Sequence, residues 1–502
     1  MSITIKSLIF ILIIGSLLFW FVGLLKLETI SKRELTTWRN VWLANQGLAF
    51  LSPNIWVYYA AFVIASFLWL PKKPESKVFI YILLLGSLPM MHVNLPGFGL
   101  VNYLFTLNYA RVLSIVILLP AFFVLLQSAG KQQRLFSQPA DKFVVLFIIV
   151  TSLLDFRDDT ASNGVRFLFL HFVDLFLPYY VISRSITNME NLNKVLTVLL
   201  ISVGLLACLA VFETLKNWHI YNHLVQHLIG ASVVTTSEVR GGMLRAAVTF
   251  MTPIMLGFIL TVGFGVYLYL SDFIKDKSLK IMPSIVLIAG LVCTVSRGPW
   301  VGFLFLLLVF IWTGRQKVAQ YARLMGGFII ILPIFLMTSF GQKFIDLLPF
   351  IGTIRAETVD YRARLFDMAS IVVQRNPWFG STTYIDTPEM QTMIQGEGIV
   401  DVVNTYLQVV LEYGWVGLIL FIAIFVSLLK NIFVLNKRLY KVDEQLFRLG
   451  RSLFAILSAT ALIIYTVSSV DYIPYYYWVL FGLSSSFIYI SNKATASKLQ
   501  PS

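Results

Sequence analysis

An all-α polytopic membrane protein is the fold class this sequence predicts, with about 12–14 transmembrane helices and one large extracytoplasmic loop containing short helices. Three observations carry that prediction. Of 502 residues, 58% are hydrophobic and only 13% are charged, against roughly a quarter charged in soluble domains. Apolar runs of about 17 to 20 residues, enough to cross a roughly 30 Å hydrocarbon core as helix, recur along the chain. The short alternating segments of a transmembrane β-barrel are not seen.

The runs fall at 7–25, 54–70, 77–92, 109–127, 143–154, 165–183, 195–213, 252–271, 281–296, 299–313, 322–340, 405–429, 452–470 and 474–490. The first follows Lys6 and has Phe19, Trp20 and Phe21 where a signal cleavage site would be sought, so it reads as a retained helix. Alternating the runs from an inner N-terminus puts KKPESK, KQQRLFSQPADK, KDKSLK, GRQK and KNIFVLNKRLYK on one side, the cytoplasmic one by the excess of Lys and Arg. Both termini then lie in the cytoplasm. The formal net charge of +14 is thus a topology signal, and no nucleic-acid partner is implied. Segment 26–53 puts Lys26, Lys32, Arg33 and Arg39 on the outer side, and reads as an interfacial amphipathic stretch with Trp38 and Trp42 at headgroup level. The chain divides into an N-terminal bundle at 1–340 with an outer loop at 214–251, a large outer loop at 341–404, and at 405–502 the C-terminal helices and a short cytoplasmic tail after Ile490.

The outer segments hold the candidate chemistry. Arg240 and Arg245 stand in SEVRGGMLRAAVTFMTPIMLG just before an apolar run, and Arg297 lies in the turn SRGPW. An arginine fork grips phosphate bidentately, although Arg297 also suits a contact with lipid headgroups. In the large loop, YRARLFDMASIVVQRNPWFG reads as an amphipathic helix over 360–374, with Leu365, Met368, Ala369 and Val372 as its apolar stripe and Arg364 on the opposite arc. Asn376-Pro377 ends it. His219, His223 and His227 have the spacing of one helical face without an acidic residue in the same turns, which speaks against a metal. His171 and Asp174 lie inside an apolar run, where ionisable groups are functional candidates or a mutually satisfied pair. Cys208 and Cys293 read as small buried hydrophobes. No Gly-rich phosphate loop precedes a lysine, so a nucleotide donor is excluded, no cofactor is expected, and a lipid diphosphate fits the need for a pre-activated donor.

The chain resembles the O-antigen ligase and Wzy-type polysaccharide polymerase family of bacterial membrane glycosyltransferases. SRGPWVGFLFLLL, RAAVTFMTPIMLG, RARLFDMASIVVQRNPWFG and NTYLQVVLEYGWVGLILF carry the resemblance. It implies an undecaprenyl-diphosphate-linked glycan as donor and acceptor, a site facing the periplasm from the inner membrane, no metal or nucleotide, and the pathway's chain-length regulator and flippase as further partners. It also implies that Arg245, Arg297 and Arg364 contact the diphosphate, with Arg240 and Arg362 as further candidates for it, a salt bridge with a loop carboxylate being the alternative for Arg240 and Arg245, and Asn404 is expected to orient acceptor or loop. Ligases of the family place histidine immediately before that asparagine. Here the position is Val403, which shifts the expectation toward a polymerase and leaves Asp401, Glu397 or Glu412 as the base. A ligase acting on lipid A core or protein and a glycan flippase are the rival readings.

Overall fold

The computed structural model describes residues 2–97, 102–127, 134–157, 160–230, 239–240, 242–322, 326, 356–394 and 398–499. The chain is all-α apart from two short hairpins among the described residues. It opens with α1 (Ile3–Leu24), α2 (Lys32–Leu51), α3 (Ile55–Trp69) and α4 (Pro74–Leu85), followed by the hairpin of β1 (Val93–Pro96) and β2 (Tyr103–Leu107). Next come α5 (Tyr109–Gln127), α6 (Asp141–Leu154), α7 (Ala161–Ser185) and α8 (Met189–Lys216). After α9 (Asn222–Ile229) and the second hairpin, β3 (Val239–Arg240) with β4 (Met243–Leu244), the chain forms α10 (Pro253–Leu270), α11 (Met282–Cys293) and α12 (Arg297–Trp312). The large loop contributes α13 (Ala356–Arg375) and α14 (Pro388–Gln391), and α15 (Thr405–Leu439), α16 (Glu444–Ile463) and α17 (Tyr472–Leu499) close the chain.

Seven described helices are long and apolar enough to cross a membrane, and α3, α11 and α12 are shorter apolar helices. The expected run at 322–340 lies almost entirely outside the described residues. One apolar core extends from Leu8 to Ile490. The expected tail after Ile490 is instead the last part of α17.

Segment 26–53 departs from its expected interfacial role. Ser31 and Glu34 close a capping box, with the Glu34 amide donating to Ser31 Oγ (3.2 Å) and the Ser31 amide to Glu34 Oε2 (2.8 Å), and this starts α2. Trp38 and Trp42 are buried in the bundle, packed against Phe79 and Phe19. Contacts at its two ends show that α2 runs from one face to the other. At its start Lys194 pairs with Glu34 (2.8 Å), and the Glu28 amide donates to the Phe273 carbonyl (3.2 Å). At its far end Gln46 donates to the Ser87 carbonyl (2.7 Å) and His227 meets the Ser52 carbonyl (3.0 Å). Lys26, Lys32 and Arg33 therefore share the face of the KDKSLK turn, in line with the clustering of positive charge. The same hairpin carries the start of α1 to the opposite face, where Phe10 packs on Phe212 and Trp218.

Candidate active site

Two sequence motifs build one scaffold. The amphipathic helix forms as its periodicity predicts, and Leu365, Ala369 and Val372 bury into a small core with Tyr384, Met390 and Leu411. NPWFG then leaves this helix and docks into a kink in α15. At the kink Gly414 adopts φ 65° and ψ −167°, and the missing helical bonds are replaced from the loop. The Trp415 amide donates to the Pro377 carbonyl (2.8 Å), the Val416 amide to Trp378 (3.1 Å), and the Ser381 amide to the Leu411 carbonyl (2.9 Å). Gly380 also has positive φ, 63°, and a Cβ there would lie 2.5 Å from the Leu411 carbonyl oxygen. A Cβ on Gly414 would lie 2.3 Å from the Trp378 carbonyl carbon. Only glycine allows both the backbone conformation and the close approach. Arg157 clamps the crossing by donating to the Gly380 carbonyl (2.7 Å).

This crossing sets Glu412 and Tyr413 into the wall of a cavity of about 360 Å³. Helix α5 supplies Arg111, held bidentately by Asp174 of α7 (3.1 and 2.5 Å). His171 faces Ser152 (3.0 Å) and Asp155 (3.6 Å) rather than Asp174, so the two ionisable residues of α7 have separate partners instead of each other. Glu412 accepts from Gln408 (3.2 Å), and Asp471 meets His92 (3.0 Å) at the rim. A single π-helical turn at Ser114–Leu118 follows Arg111 and another, Phe172–Phe176, contains Asp174, and such turns concentrate at functional sites. Asp155 sits just beyond α6 with its side chain 3% exposed. Burial, and then the Glu412 carboxylate, push its carboxyl up to about 7.

A basic cluster occupies the neighbouring turn. Arg245 is buried and donates to the Thr294 carbonyl (3.3 Å) and Ser296 Oγ (2.9 Å), and Arg240 donates to the Val295 carbonyl (3.3 Å). Arg297 opens α12 in the same turn. The loop carrying Arg245 is held by Glu213, fully buried, which accepts from the amides of Ala247 (3.1 Å), Val248 (3.0 Å) and Ile220 (3.0 Å). Val248, Met251 and Val295 around it have positive φ, a conformation costly for β-branched side chains that persists where the surroundings enforce it.

The turn between α16 and α17 joins the two regions. Arg362 donates to the Thr466 carbonyl (3.2 Å), and Gly298 packs against Thr466. Ser468 donates to Asp401 (2.7 Å), and the Ser469 amide donates to Gln408 (2.9 Å), the partner of Glu412. Asn404 caps α15, accepting from the amides of Tyr406 (2.9 Å) and Leu407 (3.2 Å). Val403 before it has φ 42°. Residues 282–422 match the family model described as O-antigen ligase.

That segment, less than a third of the chain, is similar to the O-antigen ligase family. That match bears out the resemblance read from the motifs, and no curated protein matches the chain. The matched segment starts in α11, takes in the SRGPW turn, α13 and the glycine crossing, and ends in α15 beyond Gly414. Arg297, Arg362, Arg364, Asp401, Asn404 and Glu412 fall inside it, whereas Arg240 and Arg245 reach it from the preceding loop. The structure brings Arg240, Arg245 and Arg297 to one turn and links Arg362 to it through Thr466. Arg364, two residues on and roughly 200° around the helix from Arg362, is exposed. Glu412 lies apart from the arginines, in the cavity. Glu397 is outside the described residues.

Several residues of this arrangement escape sequence reasoning. The three histidines of WHIYNHLVQH do not share one helix, because α9 begins at Asn222 and His219 turns back to Glu213 (3.3 Å). Asp155 ends an apolar run, where a carboxylate reads as an ordinary loop residue. Arg111 gave a usable signal, an isolated charge at the head of an apolar run.

Proposed function

We propose that this protein is a polysaccharide polymerase that transfers an undecaprenyl-diphosphate-linked glycan onto a lipid-linked repeat unit at the periplasmic face of the bacterial inner membrane. The observation that carries the reading is the gathering of Arg240, Arg245 and Arg297 at one strained, well-braced turn of a chain with a segment similar to the O-antigen ligase family. The diphosphate gains charge as the sugar–oxygen bond breaks, and preorganised cations stabilise that state more than the ground state. Arg245 and Arg297 hold it in this reading. Arg362 supports them from α13, and Arg364 meets the incoming lipid diphosphate from its exposed side. Asn404 acts by fixing the start of α15 and hence the position of Glu412. The reaction uses neither metal nor nucleotide.

The family model's own description favours a second reading, transfer of finished glycan to lipid A core or protein. Valine in place of the ligase histidine supports polymerisation instead. The lipid-linked glycans of a deletion strain separate the two. Single repeat units on the lipid carrier are expected for a polymerase, and full-length polymer stranded on the carrier would establish the ligase. In liposomes with lipid-linked repeat units, formation of a new glycosidic bond excludes simple flipping.

A further inference from the structure

We propose that the cavity between α5, α6, α7, α15 and α17 binds the acceptor sugar and that Asp155 Oδ2 takes the proton from its attacking hydroxyl. It presupposes that the chain forms glycosidic bonds. The cavity, about 360 Å³, is at the small end of the range for ligand sites, roughly 300–1,000 Å³, and suits a single sugar unit rather than a chain. Its charge selects the ligand class. Asp155, Asp174, Glu412 and Asp471 face one arginine, Arg111, and Asp174 already holds that arginine. A diphosphate is repelled from such a wall. A neutral polyol, whose hydroxyls donate to carboxylates, is suited to it. Among the described residues no three His, Cys, Asp or Glu groups stand together as a metal site, so the acidity is not that of a cation pocket.

Within this wall Asp155 is set apart. Its Oδ2 is buried and accepts no hydrogen bond at normal distance, with His171 Nδ1 3.6 Å away and the Tyr413 hydroxyl close to the carboxyl, while Arg111, Asp174 and Glu412 are held by closer partners. The groups around it are His171 from α7, Glu412 and Tyr413 from α15, and Arg157 on its own loop. Burial and Glu412 raise its carboxyl to about 7, which suits a general base working near neutral pH. In the step, the acceptor hydroxyl loses its proton to Asp155 as its oxygen bonds to the donor's anomeric carbon. The bond from that carbon to the diphosphate oxygen breaks with its electron pair, and the lipid diphosphate leaves on the arginines of the adjoining turn.

The test uses the purified full chain in liposomes with lipid-linked repeat units, following bond formation from pH 5.5 to 8.5. Wild type is expected to gain rate as pH rises through about 7. Asp155→Asn is expected to lower kcat by roughly 10²–10⁴ and to abolish that acidic limb, with undecaprenyl diphosphate binding retained. Asp155→Glu should recover part of the rate and the limb. Leu170→Trp, which narrows the cavity without touching a carboxylate, is expected to raise KM for acceptor and leave undecaprenyl diphosphate binding unchanged. Wild-type kcat and pH profile in Asp155→Asn, or an unaltered acceptor KM in Leu170→Trp, overturns the cavity assignment and leaves the polymerase reading standing. If wild type forms no bond at all, the polymerase reading fails, and this assignment fails with it.

Discussion

The basic turn and the acidic cavity are built by opposite means, although the same α16–α17 connection touches both. The turn gathers arginines that the chain spaces far apart, and braces them through backbone carbonyls and a strained loop tied to Glu213. The cavity gathers four carboxylates, from α7, α15, the end of α6 and the start of α17, and leaves the buried Asp155 Oδ2 beside His171 (3.6 Å) without a hydrogen bond at normal distance. A reaction that expels a diphosphate and deprotonates a hydroxyl needs both polarities side by side but unmixed. Had the arginines lined the cavity, their ion pairs with its carboxylates would hold down the basicity a proton acceptor needs. The ladder Thr466, Ser468, Ser469, Gln408, Glu412 keeps them adjacent and separate.

The severest way to break this arrangement is at the glycine crossing that positions Glu412. Gly414→Ala adds a Cβ 2.3 Å from backbone at a positive-φ position, and nothing flexible can give way. The variant is expected to be lost from the membrane or to elute as aggregate in size-exclusion chromatography. A well-folded, active Gly414→Ala enzyme would contradict the crossing.

Arg245→Ala tests the basic side alone. It should lower the transfer rate by about 10²–10³ while the acidic limb of the pH profile stays in place. Arg245→Lys should rescue little, since a point charge does not replace a bidentate fork. Arg364→Ala asks less of the fold, because the side chain is exposed. Its expected effect is roughly tenfold, the worth of one charge-assisted contact, seen as accumulation of single repeat units in cells with normal protein levels. Normal polymer length in that strain would remove Arg364 from the site.

The gentlest probe compares stability with pH. The Asp155 carboxyl is raised from 3.8 to about 7 in the folded protein, so the folded state binds its proton more tightly. The stability linked to that proton is complete below pH 3.8 and is lost as pH rises through about 7. Asp155→Asn, uncharged throughout, should therefore melt higher than wild type at pH 8, by on the order of 4 kcal/mol at most, with the gap closing toward pH 4. An equal gap at both pH values would mean that the substitution acts through packing instead of charge.

Much of the bundle was legible in advance because hydropathy and helical period are local properties. Apolar runs became helices near the expected limits, the stripe of Leu365, Ala369 and Val372 was buried as its spacing requires, and the motifs NPWFG and LEYGWVGL marked the segments that meet. Segment 26–53 holds a helix whose buried tryptophans pack on Phe19 and Phe79, partners that its charged sequence does not announce. By itself the sequence determined the membrane class, the clustering of positive charge, the arginines of the two polar turns and the resemblance to the O-antigen ligase family over part of the chain. Tertiary structure alone decided which charge meets which. His92 finds Asp471 across 379 positions, Arg111 takes Asp174 away from His171, and Asp155 is left buried beside Glu412. A charge's partner and burial depend on which helices pack side by side, and no local pattern along the chain encodes that.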